Sequence, residues 1–245
     1  MMKAAPEVQR RLLDVQAVDT AIAQLEHRKR SLPEHAQIAD GALRRATLIE
    51  SITAAETVVG DLERDVAKAE ADLVPVRERK TRNQQRVDAG AADPKALSAL
   101  IDELAHLGRR IGELEDVQLE VMEQLEEATS GLESLRAQRV EIEAGLRSAM
   151  ASRDKQVAEL DAQLADQQAE RALLVADVPA DLVALYDRIR SRAGGVGAAL
   201  LDGRRCSGCQ LEATAAAMTR YTSAPPDEVL RCDECERVLV RKAAA

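Results

Sequence analysis

Apolar residues recur along the middle of the chain in alternating steps of three and four. From Leu97 they fall at Leu100, Leu104, Leu107, Ile111, Leu114, Gln118, Val121, Leu125, Ala128, Leu132, Leu135, Arg139, Ile142, Leu146 and Ala149, and fourteen of these sixteen positions are apolar. Glu, Arg, Gln, Asp and Ala fill most of the spaces between. A repeat of about 3.5 residues held this long puts one narrow seam on a long helix, and another helix must cover it. A second seam runs from Arg45 through Leu48, Ile52, Ala55, Val59, Leu62, Val66, Ala69, Leu73 and Val76, nine of ten positions being apolar. A shorter one over residues 7–32 uses Val8, Val15, Val18, Ile22 and Leu25.

Prolines and glycines punctuate these seams. Leu32-Pro33 interrupts the first, because a residue before proline is pushed out of the helical region. Pro75 falls inside the second, where it predicts a kink or an early end. Between them, Asp88 to Pro94 offer a closing glycine at Gly90, a cap at Asp93 and a proline for the first helical turn. The third segment then runs to about Ala176 and would span on the order of 120 Å at 1.5 Å per residue. The first two segments sum to a similar reach. The pattern predicts an antiparallel hairpin over residues 1–176 with its tip near 88–94, the first segment continuing the second or folding beside it. From Asp177 the composition changes. Leu182, Leu185, Tyr186 and Ile189 mark one more short helix, Gly194-Gly195-Val196-Gly197 a flexible joint, and residues 198–245 a turn-rich end holding every cysteine. The fold class expected is mainly α: a long antiparallel coiled-coil hairpin followed, over 177–245, by a short helix and a small C-terminal β zinc ribbon.

Composition narrows the function classes. The chain has no Phe, no Trp and two Tyr, so a large aromatic core is excluded, whereas a helix seam needs only Leu, Val, Ile and Ala. A formal charge of -9 argues against gripping nucleic acid along the whole length. No apolar run approaches the roughly 20 residues of a membrane span, and Met1 to Pro6 lead into a polar helix without an apolar signal core. A cytoplasmic chain is expected, in which four cysteines serve as metal ligands rather than disulfides.

The cysteines form two Cys-x-x-Cys pairs, Cys206-Ser207-Gly208-Cys209 and Cys232-Asp233-Glu234-Cys235, separated by twenty-two residues. Two residues between thiolates let one tight turn present both sulfurs to one ion, with Gly208 easing the bend, and two such knuckles complete a tetrahedron. One structural Zn2+ held by Cys206, Cys209, Cys232 and Cys235 is the reading. With four protein ligands, no position remains for a reactive water. A redox pair would need a βαβ setting that is absent. Strands are expected at 198–201, 228–231 and 237–240, and a fragment of this size with almost no apolar core of its own needs the ion as a staple.

With these residues in view, the chain resembles the bacterial C4-type zinc-ribbon family that carries a long helical hairpin. Leu185-Tyr186-Asp187-Arg188-Ile189, the two cysteine pairs, and Glu236-Arg237-Val238-Leu239-Val240 carry the resemblance. Relatives commonly have Gly where Glu236 stands. The resemblance implies zinc at the four cysteines. The family is described as nucleic-acid binding, and some relatives act as adapters for an alternative sigma factor, one type also binding messenger RNA. It does not transfer a partner, since the arm varies freely under its heptad constraint.

Two basic groups have alternative readings. Around the knuckles lie Arg204, Arg205, Arg220, Arg231, Arg237, Arg241 and Lys242. They either neutralise a zinc tetrathiolate of charge about -2 or face phosphate, with Tyr221 stacking on a base. Near the tip Arg77, Arg79, Lys80, Arg82 and Arg86 are either a solvated face or a docking site for an acidic partner or RNA. His27, His35 and His106 lack the spacing of a metal site, and no catalytic constellation appears. The chain is therefore read as a non-enzymatic adapter for protein partners, with nucleic-acid binding through the ribbon's basic face as the alternative. Neither membrane nor small-molecule substrate is implied.

Overall fold

The computed structural model describes residues 2–90 and 93–242. The helices are α1 (Pro6–Arg30), α2 (Pro33–Asp88), α3 (Pro94–Ala176), α4 (Ala180–Arg192) and α5 (Ala215–Ser223). The strands are β1 (Ala198–Asp202), β2 (Arg205–Cys206), β3 (Leu230–Arg231) and β4 (Val238–Arg241). Three of the helices begin at a proline, whose fixed φ and missing N–H suit a first turn. Two compact units result, Ala36–Ala149, and Met1–His35 with Met150–Ala245.

In the unit Ala36–Ala149, α2 and α3 cover each other's seams. All sixteen α3 positions from Leu97 to Ala149 are buried or half-buried. Leu119 and Val140, apolar but off the register, are 58% and 60% exposed. Register rather than hydrophobicity decides what is covered. Leu48 and Ile52 pack with Leu132, and Leu73 packs with Ile111 and Leu114, so the pairing is antiparallel. Arg45 lies exposed and reaches Glu143 at 3.0 Å, and Glu56 pairs with Arg136 at 2.7 Å. Such surface pairs fix partners more than they stabilise.

Pro75 does not end its helix: α2 continues to Asp88. Pro75 is on an exposed position, so the carbonyl deprived of a donor can be solvated. The seam resumes beyond it at Val76, Asn83 and Val87. At the expected tip, Gly90 takes φ +66 and Asp93 Oδ1 accepts from the N–H groups of Lys95 and Ala96 at 2.9 Å. Ala91 and Ala92, within the expected tip, lie outside the described residues, as does the Ala243–Ala245 end.

In the other unit α1 packs along the last third of α3, with Val18 and Ile22 against Leu164 and Lys29 to Asp161 at 2.5 Å. The break at Leu32-Pro33 is pinned by Glu34, whose carboxylate accepts from Ser152 Oγ at 2.9 Å and from Gln156. Its own backbone N–H and Ser152 hold that carboxyl below the usual range.

The four strands form one sheet in the order β2-β1-β4-β3, with β1 and β4 parallel. Side chains alternate strictly across it. Ala198, Val238 and Val240 face Leu12, Val15, Leu182 and Tyr186 of α1 and α4. Ala199, Leu201 and Leu239 face α5 and the cysteines. The N-terminal segment joins this lobe: Ala4 N–H donates to the Asp227 carbonyl at 2.8 Å, and Val229 N–H to that of Met2 at 3.1 Å. The buried Gln9 side chain donates to the carbonyls of Ala4, Pro226 and Glu228. The expectation of a lobe without an apolar core of its own is thereby corrected. Its sheet has an apolar cluster with α5 on one face, and on the other shares a core with α1, from the start of the chain, and α4, just before the strands. No described helix is long and apolar enough to cross a membrane.

Candidate metal centre

The two cysteine pairs sit on turns built alike. Cys206 N–H donates to the Leu211 carbonyl at 3.1 Å and Gln210 N–H to the Cys206 carbonyl at 2.8 Å. In the second turn Cys232 N–H donates to the Arg237 carbonyl at 3.0 Å and Glu236 N–H to that of Cys232 at 2.8 Å. The residue after each pair is left-handed, Gln210 at φ 65 and Glu236 at φ 60. For side chains with a Cβ this is a strained conformation, costing of order 1 kcal/mol each. The place where Gly was noted as usual is thus the place that needs it. Gly208 plays a different part from the one expected. Its φ is not positive, but a Cβ there would lie 2.6 Å from Arg237 Cδ and 3.0 Å from Ala199 Cβ. It is small because the neighbouring knuckle's arginine and β1 press against it.

The turns bring the four sulfurs together. The Sγ atoms of Cys206, Cys209, Cys232 and Cys235 all lie within 4.8 Å of one another and could hold a metal ion. Across the knuckles Cys206 is 3.9 Å from Cys235, and Cys209 is 3.9 Å from Cys232, all four being free thiols. Cys206 and Cys232 are buried, their partners half-buried. Burial pushes the Cys206 thiol up and the Cys232 thiol up to about 12. At Cys235 burial acts in the same direction, but hydrogen bonds from the Arg237 backbone and side chain outweigh it and bring the thiol to about 7. Thiolates this close repel one another, and a cation among them would offset that repulsion.

The basic residues around the knuckles are largely engaged. Arg220 pairs with Asp233, Arg205 with Glu212 at 3.7 Å, and Arg231 with Glu236 at 2.9 Å. Arg237 donates to the carbonyls of Val196 at 3.0 Å and Ala193 at 2.6 Å. Arg241 donates to five carbonyls between Tyr221 and Glu228. Arg204 is exposed. Tyr221 corrects the stacking idea: its ring is buried in the lobe's core, 4% exposed, and its oxygen accepts from Asp233 N–H at 3.0 Å. In the other unit Arg77 reaches Glu115 at 2.6 Å, Arg79 pairs with Glu103, Arg82 pairs with Glu78 at 3.3 Å, and Lys80 is exposed.

A buried polar cluster escaped the sequence reading. Asp19, 1% exposed, accepts from Tyr186 Oη at 2.8 Å and Arg171 Nε at 2.7 Å, and lies 3.2 Å from Arg190. Gln16 Oε1 accepts from Gly197 N–H at 2.6 Å while its amide donates to the Gly195 carbonyl at 3.0 Å. A Cβ on Gly197 would meet the Tyr186 ring at 2.7 Å. The glycine segment expected as a flexible joint is therefore clamped to α1 and wedged under α4. A signal was present in the sequence, since Gln9 and Gln16 stand one heptad apart, as do Leu12 and Asp19.

A helical hairpin bearing a four-cysteine sheet lobe defines the class of protein. The chain belongs to the CT398-like coiled coil hairpin domain family, whose model matches residues 15–194. It is 32% identical over 247 residues to the uncharacterised protein Rv2229c of Mycobacterium tuberculosis, covering 98% of each chain. A solved structure from Mycobacterium smegmatis is similar with a TM-score of 0.82 and 33% identity, covering 98% of this chain and 100% of that one. CT398 from Chlamydia trachomatis shares the fold, with a TM-score of 0.67 at 15% identity over 96% of this chain and 98% of that one.

Proposed function

We propose that this chain is a non-enzymatic, zinc-binding adapter whose coiled-coil arm, residues 1–176, and zinc ribbon, residues 177–245, are presented to protein partners. The observation that carries it is the cysteine tetrad. A tetrahedron of sulfurs about 2.3 Å from zinc has edges of about 3.8 Å; two of the four cross-knuckle separations are 3.9 Å, and all the sulfurs lie within 4.8 Å of one another. Four protein thiolates close the coordination sphere, so the ion organises the fold rather than activating water. A reducing, cytoplasmic compartment that keeps the thiols available fits this reading.

The alternative, a ribbon that grips phosphate, has less support because most of its cations are already paired and Tyr221 is buried. The two readings separate in a salt series. Binding to single-stranded RNA and duplex DNA is measured for the natural chain and for Arg204→Ala/Arg205→Ala. The adapter reading expects affinity of micromolar or weaker, indifferent to the substitution. A steep dependence on salt that flattens in the variant overturns it, because each phosphate contact contributes a slope of about -0.9 on duplex DNA.

A further inference from the structure

Between α4 and the second knuckle lies a cleft of about 540 Å³. On the α4 side Leu185 and Ile189 line it, and Arg188 and Arg192 stand at its rim. Each pair is four residues apart and so lies on one helix face. The opposite wall carries Arg231, Glu234 and Glu236. There Arg231 is neutralised by Glu236 at 2.9 Å, whereas among the described residues Arg188 and Arg192 form no ion pair. Both are exposed, although most cations nearby are tied to acids or carbonyls.

We propose that this cleft is a docking site for a short acidic, apolar segment of a partner protein. The segment sets carboxylates against Arg188 and Arg192 and an apolar side chain against Leu185. Charge complementarity carries the choice. Two unneutralised guanidiniums at one-turn spacing match paired carboxylates, and Arg suits them through its bidentate fork. A nucleic-acid strand fits worse. Two free cations supply few of the phosphate contacts that such binding needs. The volume lies within the range of pockets that take a few side chains.

This inference deepens the adapter reading and rests on it for the class of partner. The test uses the full chain as purified, with fluorescence anisotropy of a fluorescein-labelled peptide of alternating Leu and Asp/Glu pairs. A Lys-for-acid version of the peptide and labelled oligo-uridine serve as the other probes. Arg188→Glu/Arg192→Glu is compared with Arg204→Glu, all three positions being exposed, so thermal melts should coincide. The acidic peptide is expected to bind saturably, about tenfold more weakly to the double variant, and unchanged to Arg204→Glu. The Lys version should bind only the double variant. Absent binding of the acidic peptide, equal binding to both proteins, or oligo-uridine binding abolished by the double substitution overturns the proposal. The adapter reading fails separately, if the natural chain captures no protein partner from lysate. The cleft alone fails if the double variant still captures the same partner.

Discussion

Cys232→Ser is expected to strip protection from both knuckles and α5 while leaving the long helices folded. Cys232 is 6% exposed and packs with Leu239, Tyr221 and Ala217 on the cysteine-bearing face of the sheet. Structural zinc in small domains contributes apparent folding free energies of about 10–16 kcal/mol, more than this thin apolar layer can replace. A serine leaves three sulfurs and a buried hydroxyl, an incomplete shell. The opposite face of the sheet, where Ala198, Val238 and Val240 pack against α1 and α4, is expected to hold without the ion. Hydrogen exchange followed by mass spectrometry reads both outcomes. Amides over 203–213 and 230–237 should reach full exchange rapidly in the variant, and those of α3 should not change. Unaltered knuckle protection in Cys232→Ser, with chelator present, would contradict the metal's role.

Asp19→Asn should destabilise the unit built from both chain ends by roughly 3–5 kcal/mol, the range for breaking a buried ion pair by removing one partner. Asp19 receives Tyr186, Arg171 and Arg190 at once, so a neutral amide removes the buried counter-charge and leaves only the more exposed Asp187, 2.6 Å from Arg171 and 3.9 Å from Arg190. Tyr186→Phe removes one hydrogen bond from the same cluster and should cost less, about 1–2 kcal/mol. For a unit of this size, the Asp19 variant should melt on the order of 10 °C lower. Circular dichroism melts measure this. Equal melting of Asp19→Asn and the natural chain would mean that the cluster is not what fixes the ribbon's joint.

The helices were legible in the sequence because their physics is local and repetitive. A seam of sixteen positions over-determines register, and each position from Leu97 to Ala149 is indeed covered. The cysteine cluster was legible for the same reason, its spacing encoding two equivalent turns. What stayed hidden depends on residues far apart in the chain. Nothing near Val238 and Val240 announces that Leu12 and Val15 will cover them, nor that Met2 and Ala4 will pair with residues 227–229. Tyr221 looked like a stacking platform because a lone aromatic in a polar insert carries no burial signal. Its burial comes from Ala199, Leu201, Leu230 and Leu239, which no local pattern places beside it. Pro75 shows the converse: of the kink or early end expected there, the early end does not occur, since α2 runs on to Asp88 and the seam resumes beyond the proline.

The central claim is that one ion closes the four-cysteine lobe. Native mass spectrometry of freshly purified, reduced protein tests it most directly. One zinc per chain is expected, lost together with knuckle protection when a strong chelator is added. Metal-free chains whose knuckles stay protected, with or without chelator, would contradict it.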